Sequence, residues 1–145
     1  MFKVISIDRG KYKCGLVFAE ISKQKVYKAI VLKSEKLENY VRNLNRVEDI
    51  SKIIIGNGTS SSEIKKKLEF LKKEIITFEE KNTTYRAKAR YFEIFPISGL
   101  KFLIPREVFI LNKNLDAISA LIILEDYYKI NFTLNQNIDP KTWLK

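Results

Sequence analysis

The chain contains no histidine, one cysteine, three prolines and five glycines in 145 residues. Each shortage closes off some chemistry. Without His there is no Ser-His or Cys-His pair, no imidazole general base and no His-ligated zinc. Cys14 alone closes no disulfide within the chain and builds no thiolate cluster. No run of 18 or more apolar residues occurs, so no segment reads as a membrane-spanning helix. The N-terminus lacks the apolar segment and small-residue cleavage site of a secretory signal, so a cytoplasmic protein with no membrane association is expected. There is also no low-complexity tract, linker or internal repeat. Residues 1–145 read as one domain, long enough to bury a sizeable core. The 46% hydrophobic content argues against disorder.

What the chain has in excess is positive charge: 27 Lys plus Arg against 17 Asp plus Glu, a net +10. A basic domain suits a polyanion, most often nucleic acid. A lysine-rich surface that serves only solubility gives the same composition, and charge alone does not choose between them. With His absent, catalysis has to rest on carboxylates, Lys, Tyr or metal-bound water.

Apolar periodicity divides the chain into an α/β alternation. Strands are expected near 2–8, 15–20, 25–32, 53–55 and 75–78. A helix follows Ser34, with Leu37, Tyr40, Val41, Leu44 and Val47 at helical spacing. Ser60-Ser61-Ser62-Glu63 reads as a capping box for a second helix. Thr83 or Thr84 starts a third, to about Phe92, and Asn114 caps a last one over residues 115–128. Residues 94–113, with Pro96, Gly99 and Pro105, read as a loop with some extended structure. The first three strands are too close for crossovers and form an antiparallel meander. The later two join in parallel by right-handed crossovers. The expected fold is therefore α/β: a mixed five-stranded sheet flanked by helices, as in the ribonuclease H-like fold.

Acidic residues fall at three element ends. Asp8 closes the first strand, Glu79-Glu80 closes the last, and Asp116 opens the last helix. Each has an ordinary reading as a turn residue, a solvated strand end or a favourable helix N-terminal charge. Together they supply hard oxygen ligands from separate elements, which suits Mg²⁺ or Mn²⁺. Strand alternation lets only one of Glu79 and Glu80 face the site. On the helix from Thr83, the cations Arg86, Lys88 and Arg90 alternate with Tyr85, Tyr91 and Phe92, a pattern of nucleic-acid surfaces and also of amphipathic core helices. Gly56-Asn57-Gly58-Thr59-Ser60 before a helix either cradles a phosphate through backbone amides or is a tight turn with a cap; it lacks the Lys-Ser/Thr ending of a P-loop, which argues against nucleotide hydrolysis. Trp143 is either a packing anchor or a tail residue.

Three blocks resemble a known family. Residues 4–10 with 15–17 are similar to the Asp-x-Gly opening of the YqgF-type proteins, a RuvC-like group described as pre-16S rRNA nucleases and as Holliday-junction-resolvase-like. Glu79-Glu80-Lys81-Asn82-Thr83-Thr84 with Ala87 resembles their Asp-Glu-Arg-x-Thr-Thr-x-x-Ala segment. Residues 115–127 resemble their closing helix. The family's Pro after the first Asp is Arg9 here, and its Thr after the Gly is Lys11. The resemblance implies a metal-dependent endonuclease on structured RNA or branched DNA, monomeric or homodimeric. Asp8, Glu80 and Asp116 would be its catalytic and metal-binding carboxylates, with Mg²⁺ or Mn²⁺ as cofactor. Arg9, Lys11, Lys13, Lys81, Arg86, Lys88 and Arg90 would contact nucleic acid. A catalytically inactive RNA- or ribosome-binding module of the same fold is the alternative.

Overall fold

A computed structural model describes residues 1–58, 60–110 and 113–143. Strands β1 (Lys3–Arg9), β2 (Lys13–Glu20) and β3 (Lys25–Lys33) pair antiparallel in sequence. Strand β4 (Lys52–Gly56) joins β1 in parallel, and β5 (Glu74–Phe78) joins β4 in parallel. The sheet holds six strands rather than the five expected, in the order β5-β4-β1-β2-β3-β6. The additional β6 (Thr133–Leu134) runs parallel to β3, held by Thr133 N–H to Gln24 O at 2.9 Å and Asn135 N–H to Val26 O at 2.9 Å. Two residues are too few to show alternation, so β6 exists only through its partner.

The helices are α1 (Leu37–Glu48), α2 (Ser61–Leu68), α3 (Thr83–Ile94), α4 (Arg106–Ile110), α5 (Asp116–Tyr128) and α6 (Pro140–Trp143). Strand parity sorts the core into two layers. Ile5, Ile7, Leu16, Phe18, Ile53 and Ile55 pack with Leu37, Val41, Leu44, Ile64 and Leu68 of α1 and α2. Val4, Val17, Ala19, Val31 and Ile54 point the other way, onto α5. Every residue of α5 from Ala117 to Glu125 is buried. It lies across β1 and β2 with α3 beside it, as expected for a helix apolar on nearly all sides. Trp143 is fully buried in this second layer, so it is an anchor and not a tail residue.

Three local expectations are corrected. Ser34 does not cap α1; a short 3₁₀ turn over Ser34–Lys36 precedes it, and the Ser34 hydroxyl reaches Gly10 O at 3.4 Å. Helix α2 begins where the capping box places it, but with no side-chain cap. Glu63 pairs instead with Arg9 and Lys67, each at 3.1 Å. The supposed loop 94–113 contains a 3₁₀ helix over Gly99–Leu103 and the short α4 directly after Pro105. Its apolar Leu100, Leu103, Ile104 and Val108 are exposed, so no core face betrays it in the sequence.

Candidate carboxylate site

Asp8 has the parity of Val4 and Ser6, so it emerges on the α5 face at the end of β1. Directly opposite it on β2 is Gly15. A Cβ at Gly15 would lie 2.0 Å from the Asp116 carbonyl oxygen, so the absent side chain is what admits the start of α5. The same geometry puts an Asp116 carboxylate oxygen 3.5 Å from the place of a Gly10 Cβ. The Asp116 N–H donates to Asn114 Oδ1 at 2.8 Å, which fixes the first turn of the helix one residue later than expected.

Glu80 arrives from the other side. It lies two residues beyond Phe78, which packs on the α5 layer, and its Oε2 would be 3.0 Å from a Cβ at Gly56, the last residue of β4. Asn82, with φ of 55°, turns the chain from Glu80 into α3, a conformation Asn tolerates better than most residues. Glu79 is exposed.

Burial pushes the Asp8 carboxyl up from 3.8 to about 7, and the negative charges of Glu80 and Asp116 add to it. Glu80 is raised by burial, partly offset by a hydrogen bond from Thr83. Asp116 is raised by burial against the opposing pull of Asn114 and Lys13. Three carboxylates therefore face one end of the sheet with more negative charge than the neighbouring cations offset. Glu80 Oε2 is buried and has no hydrogen-bond partner among the described residues. An orphaned oxygen among hard donors fits a divalent cation such as Mg²⁺ or Mn²⁺. Among the described residues, no three acidic or thiol side chains stand close enough together to hold a metal ion as they are placed.

The site opens into a cleft of about 540 Å³ lined by Asp8, Asp116, Ser119, Thr84, Lys88, Glu107 and Lys113, among others. Thr84 and Lys88 share a face of α3, four residues apart. Glu107 and Lys113 come from the segment that the sequence presents as a loop; with no strand or periodic helix to place them, nothing pointed to either.

The expected nucleic-acid contacts divide. Lys88 faces the cleft, and Lys11 and Lys13 lie at the β1–β2 turn. Lys81 is exposed just after Glu80. Arg9 is turned toward α2 by its pairing with Glu63 and by Ser60 O at 3.3 Å. Arg86 grips Asp126 through two nitrogens. Arg90 bonds Glu125 at 2.8 Å, Glu93 at 2.8 Å and Phe132 O at 3.2 Å. Those two arginines fasten α3 to α5 and do not flank the carboxylates. Tyr91 is buried in the core and Tyr85 is exposed.

No known protein family and no curated protein matches the sequence. Among solved structures, T. thermophilus RuvC in complex with a Holliday junction substrate superposes with a TM-score of 0.53 and 10% identity, over 92% of this chain and 100% of that one. At that identity the likeness concerns architecture. The chain has the ribonuclease H-like fold, a mixed α/β sheet carrying one short strand beyond the five expected.

Proposed function

We propose that the protein is a metal-dependent endonuclease that hydrolyses phosphodiester bonds in structured nucleic acid, as a divergent relative of the YqgF-type proteins. Its substrates are structured RNA, precursor ribosomal RNA first, or branched DNA of the Holliday-junction kind. The observation that carries this reading is the convergence of Asp8, Glu80 and Asp116 on one sheet end, with the buried Glu80 Oε2 unpartnered among the described residues. The solved RuvC neighbour is bound to a Holliday junction, which supports nucleic acid as the partner.

Asp8, Glu80 and Asp116 would hold Mg²⁺ or Mn²⁺. When bound, such an ion supplies an activated water and stabilises the leaving oxygen. The chain's own residues prepare the place. Gly15 lets α5 bring Asp116 against β2, and Asn114 holds its backbone. Lys88 on the cleft wall attracts the phosphate, whereas Glu107 in the same cleft repels it and favours hydrated cations. One observation favours a second reading. That no three acidic or thiol side chains among the described residues stand close enough to hold a metal ion suits an inactive RNA- or ribosome-binding module.

Wild type and Asp8→Asn, incubated with labelled structured RNA and a four-way DNA junction in Mg²⁺ or Mn²⁺, separate the two. The nuclease reading expects metal-dependent cleavage by wild type, lost in the variant, with binding retained or improved. A wild type that binds both substrates and cleaves neither leaves the binding module.

A further inference from the structure

The β1–β2 hairpin carries a feature that the carboxylate site does not use. Its tip is a tight turn in which Gly10 N–H donates to Lys13 O at 2.8 Å. The turn is fastened to the end of β3 by Ser34 N–H donating to Tyr12 O at 2.9 Å. On this rigid tip the Tyr12 ring is 74% exposed. The Lys11 ammonium sits 5.2 Å from its centroid. Beside it runs a groove of about 370 Å³ lined by Lys11, Tyr12, Lys13, Lys33, Ser34 and Glu35.

The strand register sharpens the point. Lys13 and Lys33 are direct cross-strand partners. Their two positive charges stand side by side on the groove wall, where an anion is attracted by both. The Lys13 charge also pulls the Asp116 carboxyl downward, so this edge of the groove lies near the carboxylate site. An acidic peptide could satisfy the lysines but offers nothing to an exposed ring. A nucleotide strand offers both phosphates for the lysines and base faces for Tyr12.

We infer that this groove is a single-strand binding track, in which Tyr12 stacks a base while Lys11, Lys13 and Lys33 hold the adjoining phosphates. It deepens the nuclease reading and rests on it for its purpose: the preferred substrate would carry an unpaired strand next to the cleaved bond.

Binding is measured in EDTA, so that cleavage plays no part. The probes are short oligo(dT), oligo(rU) and a blunt duplex, with full-length wild type, Tyr12→Ala, Tyr12→Phe and Lys33→Gln. Tyr12→Ala should weaken single-strand binding by roughly tenfold and Tyr12→Phe much less, since a phenyl ring still stacks. Duplex affinity should change less than about twofold, because Tyr12 reads a base face that a closed duplex hides. Lys33→Gln should flatten the single-strand salt slope by about 0.7. Both side chains are exposed, and thermal unfolding checks that the variants stay folded. Equal losses in Tyr12→Ala and Tyr12→Phe, or no loss in either, overturn the track. Competition by polyglutamate as strong as by oligo(dT) also overturns it, in favour of an acidic protein partner. If the Tyr12 pattern holds while wild type cleaves nothing in Mn²⁺, the track stands and the nuclease reading falls. If wild type cleaves with metal and is indifferent to Tyr12, the nuclease reading stands and the track falls.

Discussion

Replacing Asp8 with Asn should stabilise the metal-free protein at high pH and leave it unchanged in acid. Folded, Asp8 keeps its proton to about pH 7; its ordinary value is 3.8. Between those limits the folded chain binds more protons than the unfolded chain, so stability falls as pH rises through the interval and stays low above it. About three pH units at 1.36 kcal/mol each give an upper bound near 4 kcal/mol. Asn keeps the shape without the charge and escapes this loss. The gap between variant and wild type should therefore be small at about pH 4, widen steadily, and level off near pH 8. For a domain of this size it corresponds to roughly 10 °C in unfolding midpoint. The assay is thermal unfolding of both proteins in EDTA across that range, repeated with Mn²⁺. Added Mn²⁺ should raise the wild-type midpoint at pH 8 and narrow the gap, because Asp8 then has a cation beside it. A gap that does not change with pH would refute the clustering of buried charge around Asp8.

Arg90→Ala should destabilise by about 3 kcal/mol in urea unfolding, since it strips the cation from the nearly buried Glu125. Lys88→Ala should stay within about 0.5 kcal/mol of wild type and instead reduce the salt dependence of nucleic-acid binding. Gly15→Ala should weaken both folding and Mn²⁺ affinity, measured by calorimetry, because its methyl group would strike the Asp116 backbone. Gly58→Ala, with nothing within 4 Å of the new methyl, should leave metal affinity unchanged. Trp143→Ala should cost about 3–5 kcal/mol, followed by circular dichroism, because the indole is fully buried against the α5 layer.

Which parts of this molecule can be read from sequence depends on how local their causes are. Strands β1 to β5 and helix α1 announce themselves because neighbours along the chain alternate or recur at helical spacing. Helix α5 is readable instead from the nearly continuous apolar stretch that follows Asn114, which also announces its pervasive burial. β6 is not, since its pairing partner lies more than a hundred residues away at Gln24. Helix α4 is five residues long and its Val108 is exposed, so no apolar face announces it. The roles of Arg86 and Arg90 were opaque because their partners, Asp126 and Glu125, are 40 and 35 residues distant. The Glu63 capping box failed because Arg9, 54 residues away, claimed the carboxylate. Between Glu79 and Glu80, alternation along the strand says only that one faces the site; the resemblance names Glu80, and Glu79 is exposed.

Strand parity has a consequence for how this protein can vary. Odd-numbered side chains of β1 meet only the α1 and α2 layer, while even-numbered ones meet the layer where α5 brings Asp116 to Asp8. Substitutions in the first layer can accumulate as changes in thermal tolerance alone. Substitutions in the second alter carboxylate spacing as well, and are answerable to chemistry. Two lineages descended from this chain could thus exchange much of one hydrophobic layer and still keep the three carboxylates alike. The other layer would have to travel as a set.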